Sequence, residues 1–144
     1  ALHFFAENRR VEQMLEAIQS GDTSRSLALI AASGRSSACL LENIFAPSQP
    51  REQGISLALA LTERFLQEEC PLAADSRIYS AHGPLGRPLA GSCRVHGGGF
   101  AGTIQAWIPL EKRDAYIHSM GALFGPKAVT ALRIRPFGAG EIRL

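Results

Sequence analysis

The sequence predicts an α+β domain: helices first, then a strand–loop–strand–helix–strand unit with a mostly antiparallel sheet. Three observations carry this. Apolar residues recur at helical spacing through the first half of the chain. From Ser92 onward the pattern switches to period-two alternation rich in β-branched and aromatic residues, as in Thr103-Ile104-Gln105-Ala106-Trp107-Ile108. Between two such strands lies His96-Gly97-Gly98-Gly99-Phe100-Ala101-Gly102-Thr103, a stretch that reads as neither ordinary core nor ordinary surface.

Ala1 to Gln19 is expected to be a helix whose core face is Phe4, Phe5, Val11, Leu15 and Ile18. Ser20-Gly21-Asp22 ends it and caps the next, because glycine suits a helix C-terminus and aspartate an N-cap. A short second helix runs through Leu27, Leu29 and Ile30 to about Ala32, where Ser33-Gly34 is expected to break it. Ser36 to Phe45 follows as a third apolar segment. Pro47-Ser48-Gln49-Pro50 turns into the longest helix. Its face is Ile55, Ala58, Leu59, Thr62, Phe65 and Leu66, widened by Leu57 and Leu61 so that burial on more than one side is expected.

From Glu69 to Gly91, prolines and glycines dissolve the pattern; only Arg77 to Ala81 suggests a short strand, and the segment reads as a mobile insertion. Ser92 to Val95 is a strand, then the glycine loop, then the strand over 103–108. Leu110 to Phe124 is helical, with Tyr116, Met120, Leu123 and Phe124 facing the core. Val129 to Arg135 is expected to be a further strand, with Glu141 to Leu144 as a last edge. There is no internal repeat and no low-complexity tract.

At 144 residues the chain has room for one domain with a real core. A formal charge of +2 with no basic block offers nothing to nucleic acid. No apolar run approaches the roughly 18 residues of a membrane span, and no signal peptide precedes the first helix. Cys39, Cys70 and Cys93 form no CxxC and no even framework, which fits free thiols in a reducing, cytoplasmic setting. The histidines show no metal-ligand spacing with one another or with the cysteines. The start without Met, inside or beside a helix, reads as a fragment.

The glycine loop is where chemistry is expected. Glycines adopt positive φ and let backbone N–H groups approach a ligand or a neighbouring strand, and successive N–H groups facing one concavity form an anion nest. A tight turn pressed against a neighbouring strand is the alternative. Gly97-x-Gly99-x-x-Gly102 formally matches a dinucleotide fingerprint, but that motif needs a helix after the loop and here a strand follows. His96-Gly97-Gly98-Gly99 resembles an esterase oxyanion element. No GxSxG nucleophile follows it; Gly34-Arg35-Ser36-Ser37-Ala38 and Gly54-Ile55-Ser56-Leu57-Ala58 both precede it and lack the second glycine.

Arg94-Val95-His96-Gly97-Gly98-Gly99-Phe100-Ala101-Gly102-Thr103-Ile104-Gln105-Ala106 closely resembles the third conserved motif of galactokinases, in the GHMP sugar-kinase superfamily. His3 to Val11 is similar to that family's helix after the catalytic centre. Asn43 to Leu61, through Pro50-Arg51-Glu52-Gln53-Gly54-Ile55, is similar to a bacterial galactokinase branch, and Leu132 to Ala139 to the closing strand and turn. The resemblance implies a GHMP kinase C-terminal domain over residues 1–144, with a ferredoxin-like sheet. The complete enzyme would transfer the γ-phosphoryl of MgATP to the anomeric hydroxyl of galactose.

The family's phosphate loop, catalytic aspartate and partner arginine belong to an N-terminal half absent from this sequence. No catalytic residue and no metal ligand is therefore expected here, and the partners implied are that half, the sugar and ATP. His96, Gly97, Gly98, Gly99, Phe100, Gly102 and Thr103 are expected to line the sugar–phosphate cleft or to buttress the missing phosphate loop. The buttress is favoured because no Lys or Arg lies within the loop; Arg94 is an accessory charge. His96 reads as a loop histidine bonding backbone rather than as a base. The fragment alone is expected to be inactive. Two other classes are a non-catalytic, sugar-sensing relative and a standalone binding remnant exposing an apolar patch.

Overall fold

The computed structural model describes residues 1–71, 81–82, 88–100 and 102–134. Helices α1 (Leu2–Gln19), α2 (Thr23–Leu41) and α3 (Gly54–Glu69) come first. Strands β1 (Ala81–His82) and β2 (Pro88–Leu89) pair antiparallel, and so do β3 (Ser92–Val95) and β4 (Ile104–Trp107). A 3-10 turn over Leu110–Lys112 leads into α4 (Arg113–Phe124). The domain is α+β, with helices ahead of small antiparallel sheets.

The α1–α2 junction forms as its residues dictate. Gly21 takes φ +69°, and the Asp22 carboxylate accepts the Arg25 N–H at 2.8 Å, capping α2. The expected break at Ser33-Gly34 does not occur: α2 runs unbroken to Leu41 and absorbs the first part of the third apolar segment. Gly34 serves packing instead. A Cβ there would lie 2.9 Å from the Arg94 Cβ and 3.3 Å from the Cys93 carbonyl, so its absence lets the helix backbone come down onto β3.

The first helix is inverted relative to expectation. Phe4, Phe5, Val11, Leu15 and Ile18 are all more than half exposed, and only Ala17 is fully buried. Alongside the buried Ala17, polar side chains join α1 to α2: Ser33 Oγ donates to Glu7 Oε2 at 2.7 Å, Glu7 pairs within α1 with Arg10, and His3 Nδ1 lies 2.9 Å from Ser36 Oγ. Helical period identifies residues sharing a face, but the contacts available on α2 decide which face docks.

The core lies where α3 meets the sheet and α4. Ile55, Thr62 and Leu66 are buried along α3, and Leu66 clusters with Cys70 and Leu89, flanked by Phe65, Ala90 and Ile108. Leu57 is half exposed, so α3 buries a single broad stripe and not both sides. Thr62 Oγ1 donates to the Ala58 carbonyl at 2.7 Å and lies 2.8 Å from the Tyr116 hydroxyl. Phe65 packs edge-on against the Tyr116 ring at 5.3 Å. On α4, Tyr116 and Met120 face the core as expected; Leu123 and Phe124 do not, since both are exposed near the helix end.

Val129 to Ile134 forms no strand, and Leu132 and Ile134 are almost fully exposed. Alternation and β-branching supply propensity, but a strand exists only where another strand's backbone pairs with it. The proposed closing turn and the edge over 141–144 fall outside the described residues, as does most of the expected insertion. The described parts of that insertion are seated: Leu89 is buried, Ala90 N–H donates to the Cys70 carbonyl at 3.0 Å, and Pro71 bridges Leu89. Of the expected strand over 77–81, Ala81 is described, in β1.

Candidate functional site

The glycine stretch is the connection of the β3–β4 hairpin. The strand register is Ser92 opposite Trp107 through Val95 opposite Ile104, and His96 N–H extends it by donating to the Thr103 carbonyl at 3.1 Å. Within the loop, Gly99 N–H donates to the His96 carbonyl at 3.2 Å. Gly97, Gly99 and Gly102 take φ of +56°, +83° and +81°, and Phe100 joins them at +61°. Bulky residues rarely sit there. The alternation of left-handed residues bends the backbone away from any simple two-residue turn.

A residue outside the motif holds the loop from beneath. Asn43 is 1% exposed. Its Nδ2 donates to the Gly98 carbonyl at 3.0 Å and to Ser37 Oγ at 2.7 Å, while Ser37 Oγ lies 3.0 Å from Asn43 Oδ1. Its own carbonyl accepts the Phe100 N–H at 3.0 Å. Asn43 reaches this place because α2 ends in a left-handed residue, Glu42 at φ +51°, which turns the chain beneath the hairpin. Periodicity gives no sign of such a role; a polar asparagine set between Leu40-Leu41 and Ile44-Phe45 is the one clue the sequence carries.

Gly97 and Gly98 N–H groups find no partner among the described residues, and a Cβ added at either would meet nothing within 4 Å. Both stand on the open side of the loop. Gly99 is packed on Asn43, and Gly102 is exposed. The His96 and Thr103 side chains lie at the surface, and the Phe100 ring is half exposed. Backbone donors without side-chain bulk are suited to an anionic or polar ligand.

Arg94 is turned away from this surface. Its Nη1 donates to Ser33 Oγ at 2.8 Å and its Nε to the Val95 carbonyl at 3.2 Å, which joins β3 to the Glu7–Ser33 seam between α1 and α2. His96 contributes its backbone N–H and carbonyl to the loop.

A second concavity, a cavity of about 90 Å³, lies between α2, α3 and β3, with Gly34, Glu63, Leu66, Ser92 and Cys93 among its walls. Burial disfavours the charged forms of its Glu63 and Cys93 side chains. Desolvation raises the Glu63 carboxyl, against a lowering by the Arg35 charge, and it pushes the Cys93 thiol up to about 12 with the Glu63 charge adding to the shift. A thiol so placed is not a nucleophile near neutral pH. Among the described residues no group of three or more His, Cys, Asp or Glu is arranged to hold a metal ion, and no helix is long and apolar enough to cross a membrane.

No protein-family model, no curated protein and no solved structure matches the chain.

Proposed function

We propose that this chain is the C-terminal domain of a galactokinase-like sugar kinase, an enzyme that as a complete chain phosphorylates galactose with MgATP in the cytoplasm. The observation that carries the reading is the loop itself: a hairpin connection with three left-handed glycines, the Gly97 and Gly98 amides open, and its underside fixed by Asn43. Its support in sequence is the match of Arg94 to Ala106 with the third galactokinase motif.

Phosphoryl transfer is catalysed chiefly by positioning and by neutralising charge. A loop of this kind supplies the first and part of the second, because backbone dipoles approach the cleft without side chains in the way. The remaining charge comes from the N-terminal half, which brings the phosphate loop, the aspartate and the arginine. The exposed stripe of Phe4, Val11, Leu15 and Ile18 on α1 is a surface for that half to cover. In this reading the β3–β4 pair belongs to a ferredoxin-like arrangement.

The test is ATP-dependent phosphorylation of galactose by the 144-residue chain, alone and mixed with a galactokinase N-terminal half. Inactivity alone and activity on mixing is the expected result. Activity alone would displace the catalytic residues from where the reading puts them. Silence in both, with the halves shown to associate, would turn the reading to a sugar sensor.

A further inference from the structure

We infer that Asn43 is the positioning residue of the glycine loop, holding Gly98 to Phe100 in the ligand-receiving arrangement before any ligand arrives. The inference rests on the kinase reading only for the identity of the ligand.

The geometry distinguishes this from ordinary packing. Asn43 grips the loop from both ends of one short segment, with Nδ2 on the Gly98 carbonyl and its own carbonyl on the Phe100 N–H. Fixing the Gly98 carbonyl fixes the peptide plane it shares with the Gly99 N–H, which is itself bonded to the His96 carbonyl. The Phe100 bond holds a bulky residue at φ +61°, a conformation that residue would not keep unaided.

Ser37 completes the device. Its hydroxyl lies 2.7 Å from Nδ2 and 3.0 Å from Oδ1, which fixes the carboxamide plane so that a second Nδ2 hydrogen aims at Gly98. The clamp thus runs from the last turns of α2 to a loop 55 positions on from Asn43. Neither Gly97 nor Gly98 is touched by it on the open side, so the amides offered to a ligand are set without being consumed.

The decisive variant is Asn43→Asp, which keeps the shape and the backbone carbonyl but replaces the Gly98 donor by an acceptor. Ile55→Val, in the α3 core and away from the loop, controls for general destabilisation. Amide hydrogen exchange is read on the 144-residue chain. Asn43→Asp is expected to speed exchange at Gly99 and Phe100 by about ten- to a hundredfold while the amides within α3 hold. In the assembled kinase it is expected to lower kcat/KM for MgATP by about tenfold or more, a loss that Ile55→Val does not share.

Loop amides that exchange as slowly as in the parent, or that loosen equally in Ile55→Val, would overturn the inference. So would a loosened loop with unchanged kcat and KM in an active kinase. A parent assembly that never phosphorylates galactose would sink the kinase reading, leaving the exchange comparison to decide whether Asn43 positions the loop.

Discussion

Gly99 sits directly on Asn43: a Cβ at position 99 would lie 2.3 Å from the Asn43 carbonyl oxygen and 2.6 Å from its Cβ. The contact divides a run of three adjacent glycines into different roles. Gly99→Ala would place a methyl group in that space at φ +83°, and is expected to destabilise the domain by about 3 kcal/mol. Gly98→Ala points into open space and is expected to change stability by less than about 0.5 kcal/mol. Urea unfolding of the two variants checks this, and equal losses would refute the division. Gly98→Val extends it: under the proposed kinase function, the activity of the complete protein should fall further than its stability.

Glu63 gives the domain a pH dependence of definite sign. Its carboxyl titrates above the ordinary value of 4.5 because burial disfavours the charge. The folded state therefore holds a proton that the unfolded chain has released, and stability falls as pH rises through that window. Below the ordinary value the contribution is fully present; above the raised folded value it is gone. Glu63→Gln should flatten this part of the profile and be more stable than the parent near neutral pH. Melting temperatures of both chains from pH 4 to pH 8 read the difference, and parallel profiles would contradict it.

The three thiols should separate by accessibility. Cys39 is exposed on α2, while Cys70 and Cys93 are buried and burial raises both their thiols. A native sample treated with a disulfide-exchange reagent at neutral pH should titrate one thiol quickly and all three only after denaturation. Rapid labelling of Cys93 in the folded protein would show that β3 opens far more readily than its packing implies.

The Thr62–Tyr116 hydroxyl contact joins α3 to α4 inside the core. Tyr116→Phe should cost about 1 kcal/mol, and Thr62→Val somewhat more because its bond to the Ala58 carbonyl goes as well. A double-mutant cycle should return a coupling of about 0.5 kcal/mol or more. Additive losses would show that the hydroxyls do not support one another.

Where local chemistry decides structure, the sequence was legible. Asp22 caps α2, the prolines of 47–50 precede α3, and the alternation of 103–108 pairs with Ser92–Val95. Where partners decide, it was not. Ser33-Gly34 carries the signature of a helix break, yet Gly34 is small for the sake of β3 and Ser33 is buried between Glu7 and Arg94. Leu132 and Ile134 alternate like a strand and pair with nothing described. The glycine loop stood out in the sequence, but Asn43 did not, because its importance lies in contacts 55 positions away.

The docking of α1 bears on how the molecule comes apart. A helix lifted from Ser33 and Ser36 uncovers hydroxyls, a carboxylate, Ala17 and parts of Ala6 and Met14, but not its largest apolar side chains, since its phenylalanines, valine, leucines and isoleucine already face solvent. Denaturant acts in proportion to newly exposed area, so the opening of α1 should depend only shallowly on urea. Screening of the Glu16–Arg25 ion pair, which crosses from α1 to α2 at 2.8 Å, should instead make it respond modestly to added salt. The α1–α2 junction would then loosen with ionic strength, where the rest of the fold answers chiefly to denaturant.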